Sequence, residues 1–524
     1  MSLPHPHSTF PPPCCGASKD LLRSISTSLT PNPTRHRTPP PPPPTSSSRY
    51  DALIRAHVES HRPYSALLLF NSMLRTCSPD KFTFPLALKA CAHLSAVDEG
   101  EQIHSMIVKS EFVPTDDVHV STSLMRMYAL CGRIDAAQQL FDKMPNRNVV
   151  SWNTLLDGFV KSGDIDSAYQ VFDAMPERNV VSWNSMTAGF VKNDLPREAL
   201  MLFIEMMVSG LVPDEYTMAS VISAISDLGL LDLGRRAHGY VTRRGFLLCR
   251  ALGVELLNMY IKCGDIGIAY QVFLSISEKN VNHWTAMIGG FAAHGHAEAS
   301  IRLFSEMRRF GVEPNYVTFI GVLNACSHGG LVKEGLEYFN LMRNLGLKPR
   351  IQHYGCLVDL LGRAGLLELA MKLVGSLSTD PGFIVWSALL AACEKHENVE
   401  IAEIIAHKLS AAEAENGGCY TLLSNLYARM GKWEDFSRMR RMIEESGVEK
   451  VPGFSWIEVD GVVHEFAAGD KFHWRNRDIY RILEEMKLNL RSAGYENVAG
   501  DSIRDGETID EAGETLEEDL ILDS

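Results

Sequence analysis

Between residues 149 and 179, apolar residues fall three and four positions apart, the spacing that gathers side chains on one face of an α-helix. Trp152, Leu155, Leu156 and Phe159 make the first such stripe. Gly163 then interrupts the pattern, and Asp164 stands where a helix N-cap is needed. A second stripe of Ala168, Val171, Phe172 and Met175 runs to Pro176, which cannot continue a helix. The unit is therefore a helix, a glycine turn, a second helix and a proline stop. Neither helix can bury its stripe alone, so neighbouring units must stack into a solenoid.

The unit repeats. Val149-Val150-Ser151-Trp152-Asn153 returns as Val180-Val181-Ser182-Trp183-Asn184 and again as Val281-Asn282-His283-Trp284-Thr285. Longer units carry Phe82-Thr83-Phe84-Pro85 and Leu88-Lys89-Ala90-Cys91, and a shorter one carries Met259-Tyr260-Ile261-Lys262-Cys263-Gly264. With these motifs the chain resembles the plant pentatricopeptide repeat family, in its branch of mixed repeat lengths. Tetratricopeptide repeats share the helix-pair plan but keep a strict period and a Trp-Leu-Gly-Tyr pattern, and neither is present. The resemblance predicts ten repeats over 47–382, beginning at Ser47, Lys81, Val118, Val149, Val180, Glu215, Arg250, Val281, Tyr316 and Ile351. The expected fold is all-α, a right-handed superhelical solenoid of helix-turn-helix repeats with a small β-hairpin-containing C-terminal extension.

Two degenerate units follow over 383–450, carrying Val385-Trp386-Ser387-Ala388-Leu389-Leu390 and Leu422-Leu423-Ser424-Asn425-Leu426-Tyr427. Over 451–495, alternation on either side of Asp460-Gly461 predicts a hairpin in an otherwise helical chain. This run is similar to the E and E+ extension of organelle C-to-U RNA-editing factors. The resemblance covers about residues 47–495.

The flanks read differently. Residues 1–46 hold proline runs, many Ser and Thr, and Lys19, Arg23, Arg35 and Arg37 against a single acid, Asp20. That basic, hydroxyl-rich composition is expected of an organelle transit peptide, for the chloroplast or alternatively the mitochondrion. Residues 496–524 read as an acidic disordered tail. The net charge of −14 is concentrated there: over 501–524, ten acids face one base, Arg504, so the tail holds −9 and the rest −5. A mildly acidic body argues against tight non-specific binding to phosphates and turns attention to base edges. No apolar run is long enough to span a bilayer. Eleven cysteines are dispersed with no Cys-x-x-Cys, which excludes zinc-ribbon and thioredoxin chemistry. Cys91, Cys263, Cys326 and Cys393 sit in apolar helical patterns and are expected as buried thiols.

In the longest members of the resembling branch the extension leads into a DYW deaminase domain, whose zinc chemistry needs His-x-Glu and Cys-x-x-Cys. Two His-x-Glu triplets occur, His57-Val58-Glu59 in the first repeat and His296-Ala297-Glu298 in the eighth, and neither has a cysteine pair to complete it. His464-Glu465 lacks the spacer. The expectation is a chain with no catalytic residues, metal or cofactor of its own.

The resemblance also implies an RNA code. The fifth residue of each repeat and its last residue contact one base together, and an apolar second residue wedges between bases. Carried over by position, the legible pairs are Thr122 with Asn148, Asn153 with Asn179, Asn184 with Asp214, and Thr285 with Asn315, with Val150 and Val181 as wedges. By the family's code these favour A, a pyrimidine (C before U), U and A. Asp51, Pro85, Ala219, Val254, Ile320 and Gly355 depart from the code at position five. Editing factors align the last repeat four nucleotides upstream of the edited C, which places A at −11, a pyrimidine at −10, U at −9 and A at −6. The expected function is site recognition on single-stranded organelle RNA, with a DYW-type deaminase and accessory proteins joining in trans through 383–495. The alternatives are a non-editing RNA factor in stabilisation, splicing or translation, or a protein-binding scaffold.

Overall fold

Stacking of stripes that cannot be buried singly produces twelve helix pairs in the computed structural model, which describes residues 47–110, 117–377, 381–410, 417–445, 454–459, 462–467 and 473–493. The segment assigned to a transit peptide, the Asp460-Gly461 turn and the acidic tail lie outside the described residues. The chain divides into two compact units at Ala90/Cys91.

The first unit holds α1 (Ser47–Glu59), α2 (Pro63–Met73) and the start of α3 (Thr83–Leu94). Tyr50, Ile54, Phe70 and Met73 form its buried seam. In the second unit α4 (Val97–Lys109) follows, then the pairs α5 (Val118–Leu130) with α6 (Ile134–Lys143), α7 (Val149–Ser162) with α8 (Ile165–Asp173), and α9 (Val180–Lys192) with α10 (Pro196–Val208). Next come α11 (Glu215–Asp227) with α12 (Leu231–Arg244), α13 (Ala251–Lys262) with α14 (Ile266–Ser275), and α15 (Val281–Ala293) with α16 (Ala297–Arg309). The stack continues through α17 (Tyr316–Gly329) with α18 (Val332–Asn344), α19 (Ile351–Arg363) with α20 (Leu367–Gly375), α21 (Gly382–Lys395) with α22 (Val399–Ser410), and α23 (Gly417–Arg429) with α24 (Trp433–Glu445). From α5 to α23 each first helix packs on the next first helix, and each second helix fills the angle between its own partner and the following first helix. One apolar core runs through Met218, Leu256, Trp284, Phe319 and Leu357, and a second through Val358, Trp386, Leu389 and Tyr427.

The local chemistry agrees with the sequence pattern. Gly163 ends α7 in the left-handed region at φ 84°, a conformation that costs glycine nothing. Asp164 then caps α8, its carboxylate accepting the Ser167 N–H at 3.0 Å. At the junctions Phe172 meets Trp183 edge-on (centroids 5.0 Å, 80°), and the Arg178 guanidinium lies 4.8 Å over the same phenyl ring. Phe141, Trp152 and Arg147 repeat this arrangement, as do Phe273, Trp284 and Lys279. Trp183 and Trp284 are buried and Trp152 is half-buried, so the indoles are inter-repeat packing.

Beyond α24 lie β1 (Phe454–Val459) and β2 (Val462–Ala467), antiparallel, with Phe454 opposite Ala467 and Val459 opposite Val462. The last described helix is α25 (Asn476–Ser492). Among the described residues no helix is long and apolar enough to cross a membrane. Cys91, Cys326 and Cys393 are buried thiols, whereas Cys263 corrects the expectation: it is the C-cap of α13, past the last residue of the helix, and is half-buried.

Candidate nucleic-acid interface

The last residue of one repeat is the N-cap of the next repeat's first helix. Asn148, Asn179, Asp214, Asn280 and Asn315 each accept a backbone N–H of the opening turn, and the side chain three residues on returns to the cap's own N–H. The last residue is thereby held rigidly, with its Oδ1 committed to the helix; Asn280 also spends its Nδ2, which donates to Cys249 O at 3.4 Å. Position five of the preceding repeat sits beside the cap.

Three of the four expected pairs come together. Asn153 Nδ2 donates to Asn179 Oδ1 at 3.3 Å, and Asn184 Nδ2 donates to Asp214 Oδ1 at 3.0 Å. Thr285 reaches Asn315 through Thr318, whose Oγ1 lies 2.7 Å from Thr285 Oγ1 and 3.0 Å from Asn315 Oδ1. Thr122 and Asn148 are not joined by a hydrogen bond: Asn148 caps α7 through Ser151 N, and Thr122 Oγ1 is buried without a hydrogen-bond partner. Asn153 Oδ1 is likewise buried and unpartnered. A buried polar atom without a partner costs free energy that a ligand group can recover.

Val150 and Val181 lie three residues before Asn153 and Asn184, on the same helix face. Both protrude into solvent, at 60% and 55% exposure. Tyr216 and Val317 occupy the same second position and are as exposed. The repeat register alone identifies them, although their repeats carry Ala219 and Ile320 at position five.

Asp51, which departs from the code, is also joined across its repeat junction, within the first unit. The Thr83 hydroxyl lies 2.7 Å from Asp51 Oδ1 and 3.0 Å from Asp80 Oδ1. Burial pushes the Asp51 carboxyl up, opposed by its hydrogen bond from Thr83. Burial pushes Asp80 up as well, but the hydrogen bonds it accepts from Thr83, Phe82 and Ser47 outweigh that and hold it below the usual carboxylate range.

Repeats with apolar position five are built otherwise. After the repeat of Val254, His283 Nδ1 accepts the Asn280 N–H at 3.1 Å, so its Nε2–H donates to Leu248 O at 3.0 Å. Burial holds this imidazole below its ordinary value. After the repeat of Ile320, His353 does the same with the Arg350 N–H and Tyr316 O. Arg350 is folded over the Tyr316 ring at 4.2 Å. These junctions are locked to backbone and offer no side-chain pair. Among the described residues, no three His, Cys, Asp or Glu side chains gather as a metal set.

Residues 147–180, 178–227 and 279–328 match the model described as PPR repeat family, and 120–149 and 317–347 match that described as PPR repeat. Residues 396–458, from the end of α21 through β1, match the E motif model. The chain is similar to an Arabidopsis thaliana pentatricopeptide repeat-containing protein named as chloroplastic, at 40% identity over 420 residues, which are 80% of this chain and 52% of that relative. It thus spans about half of that protein. Another Arabidopsis thaliana pentatricopeptide repeat-containing protein, named as chloroplastic/mitochondrial, is 38% identical over 466 residues, 86% of this chain and 68% of the relative. Among solved structures, the maize pentatricopeptide repeat protein PPR10 aligns with 77% of this chain and 59% of its own length, at 20% identity and a TM-score of 0.41.

Proposed function

The chain belongs to the pentatricopeptide repeat family and carries an E motif after its repeats, and from this we propose that it is a site-recognition factor for C-to-U editing of organelle RNA. It binds single-stranded RNA upstream of the edited cytidine, and a DYW-type deaminase joins in trans through residues 383–495. The observation that carries the RNA reading is the set of position-five side chains tied to the last residue of their own repeat, beside exposed second-position side chains. Polar pairs held by capping boxes are pre-organised donors and acceptors, and the exposed Val and Tyr side chains are surfaces on which bases stack.

The two Asn-based pairs differ in what they present. Asn153 keeps an unpartnered acceptor, suited to the amino group of cytosine. Asn184 has its Oδ1 occupied by the Thr217 hydroxyl at 2.6 Å and keeps a second N–H, suited to a carbonyl of uracil. Beside it, Asp214 Oδ2 is available to accept uracil N3–H.

The E motif supports the editing reading, and α25 supports recruitment. Its residues Ile482, Met486 and Leu490 form an exposed apolar stripe, with Met486 at 54% exposure. The names of the relatives support an organelle destination, chloroplast or mitochondrion. The test is sequencing of organelle transcripts after loss of the gene. Editing lost at one or a few cytidines, with transcript ends and splicing intact, is the expected result. Unchanged editing at every site refutes the proposal, and altered processing with normal editing favours a non-editing RNA factor.

A further inference from the structure

We propose that the third residue of each repeat is a positioning residue for the base read by the preceding repeat, with threonine and serine there setting different polarities. This rests on the RNA reading above. Every polar position five in the ten repeats is followed by a hydroxyl at position three of the next: Asp51 by Thr83, Thr122 by Ser151, Asn153 by Ser182, Asn184 by Thr217 and Thr285 by Thr318. Every other position five is followed by a residue without one: Pro85 by Val120, Ala219 by Leu252, Val254 by His283, Ile320 by His353 and Gly355 by Val385.

The structure separates the hydroxyls further. All three threonines reach back across the repeat junction, Thr83 to Asp51 Oδ1 at 2.7 Å, Thr217 to Asn184 Oδ1 at 2.6 Å and Thr318 to Thr285 Oγ1 at 2.7 Å. Neither serine does. Ser151 Oγ donates to Asn148 O at 2.8 Å, and Ser182 Oγ donates to Asn179 Oδ1 at 3.1 Å. Their position-five neighbours are the ones left with a buried, unpartnered atom, Thr122 Oγ1 and Asn153 Oδ1. Each threonine hydroxyl also lies 2.9–3.0 Å from the Oδ1 of its own cap. The β-branch stiffens χ1 and holds that hydroxyl between the cap and position five, whereas the serine hydroxyls touch the cap alone.

The consequence is a choice of polarity. Thr217 occupies one lone pair of the Asn184 acceptor, so the amide presents its free N–H to the base in preference, which favours uracil. Ser182 leaves the buried Asn153 acceptor unpartnered, which favours cytosine. All five hydroxyls also serve capping boxes or cap carbonyls, so a purely structural role has to be separated from positioning. Both kinds of role lower overall affinity when lost, but only positioning changes a ratio between bases.

The experiment measures the full chain's affinity for RNAs carrying U or C at the nucleotide faced by residues 180–214. It compares wild type with Thr217→Ser, which keeps the cap, and with Thr217→Val, which removes the hydroxyl. The expected result is a U-to-C ratio reduced about fivefold in both, the worth of one hydrogen bond, with ratios at other nucleotides unchanged. A wild-type preference for U that survives both substitutions overturns the inference while leaving the RNA reading intact. A wild type that does not distinguish bases at this nucleotide overturns the reading itself, and this inference with it.

Discussion

Replacing Asp214 with asparagine alters one terminal atom at the junction of two repeats. Oδ1 accepts the Thr217 N–H at 2.8 Å and the Asn184 Nδ2–H at 3.0 Å, and asparagine preserves an oxygen there. Asn and Asp rank together as N-caps, so the cap of α11 survives. Loss of the charge at the helix N-terminus costs about 0.3–1 kcal/mol, and Glu215 remains in the first turn. The protein therefore folds, with a Tm lowered by at most a few degrees. The change that matters is at Oδ2, where an acceptor becomes a donor. Uracil N3–H then meets a donor, while cytosine N3 gains one. One mismatched buried hydrogen bond costs about 1–3 kcal/mol, so the U-to-C ratio shifts about 5- to 150-fold towards C. Fluorescence anisotropy on two RNAs differing at that single nucleotide, at one fixed salt concentration, measures it. A ratio that stays within about twofold of wild type in a folded variant refutes the geometry assigned to this pair.

Three further outcomes follow from other parts of the molecule. Tyr216→Ala removes a side chain that is 72% exposed, so the Tm holds while RNA affinity falls about 5- to 100-fold, as for loss of a stacking platform; unchanged affinity contradicts the second-position row. Gly253→Ala drives a Cβ into the Leu248 carbonyl oxygen and to 3.0 Å from His283 Nε2; because backbone cannot yield as a side chain can, the cost is about 3 kcal/mol or more, and a wild-type denaturation midpoint sinks the argument. His104 and His238, held below their ordinary value by burial and hydrogen-bonded to Tyr128 and Tyr260, take up protons less readily folded than unfolded. Their stabilisation is present above pH 6.5 and is lost as pH falls below it, so the Tm drops between about pH 7 and 5. The double variant His104→Asn/His238→Asn flattens that slope, and an equal slope in both proteins argues against this origin.

The helix pairs are legible in the sequence because each is specified locally. Stripe spacing, Gly163, Asp164 and Pro176 all act within a few residues of where they stand. The Asp460-Gly461 signal marks a hairpin for the same reason, and its arms pair as β1 and β2. Which residues stand at the second position is legible from register, and Val150 and Val181 there are exposed. The state of each polar atom is not. Whether Asn153 or Asn184 keeps an unpartnered acceptor depends on the rotamer of a hydroxyl 29 or 33 residues away, and spacing carries no information about that. Asp51 departs from the code by identity, yet the Thr83 hydroxyl joins it to Asp80 as the Thr217 hydroxyl joins Asn184 to Asp214. Cys263 and Cys326 follow similar apolar runs, yet only Cys326 is enclosed, its thiol pushed up to about 12 by burial.

The central claim is that this array reads RNA bases at defined positions. Selection of a randomised single-stranded RNA pool on the purified full chain tests it most directly. The account predicts enrichment of A, a pyrimidine and U in succession, then two unconstrained nucleotides and A, matching the junctions at Asn148, Asn179, Asp214 and Asn315. A selected pool with no base preference at this spacing, or one retained through phosphates alone with a steep salt dependence, contradicts it.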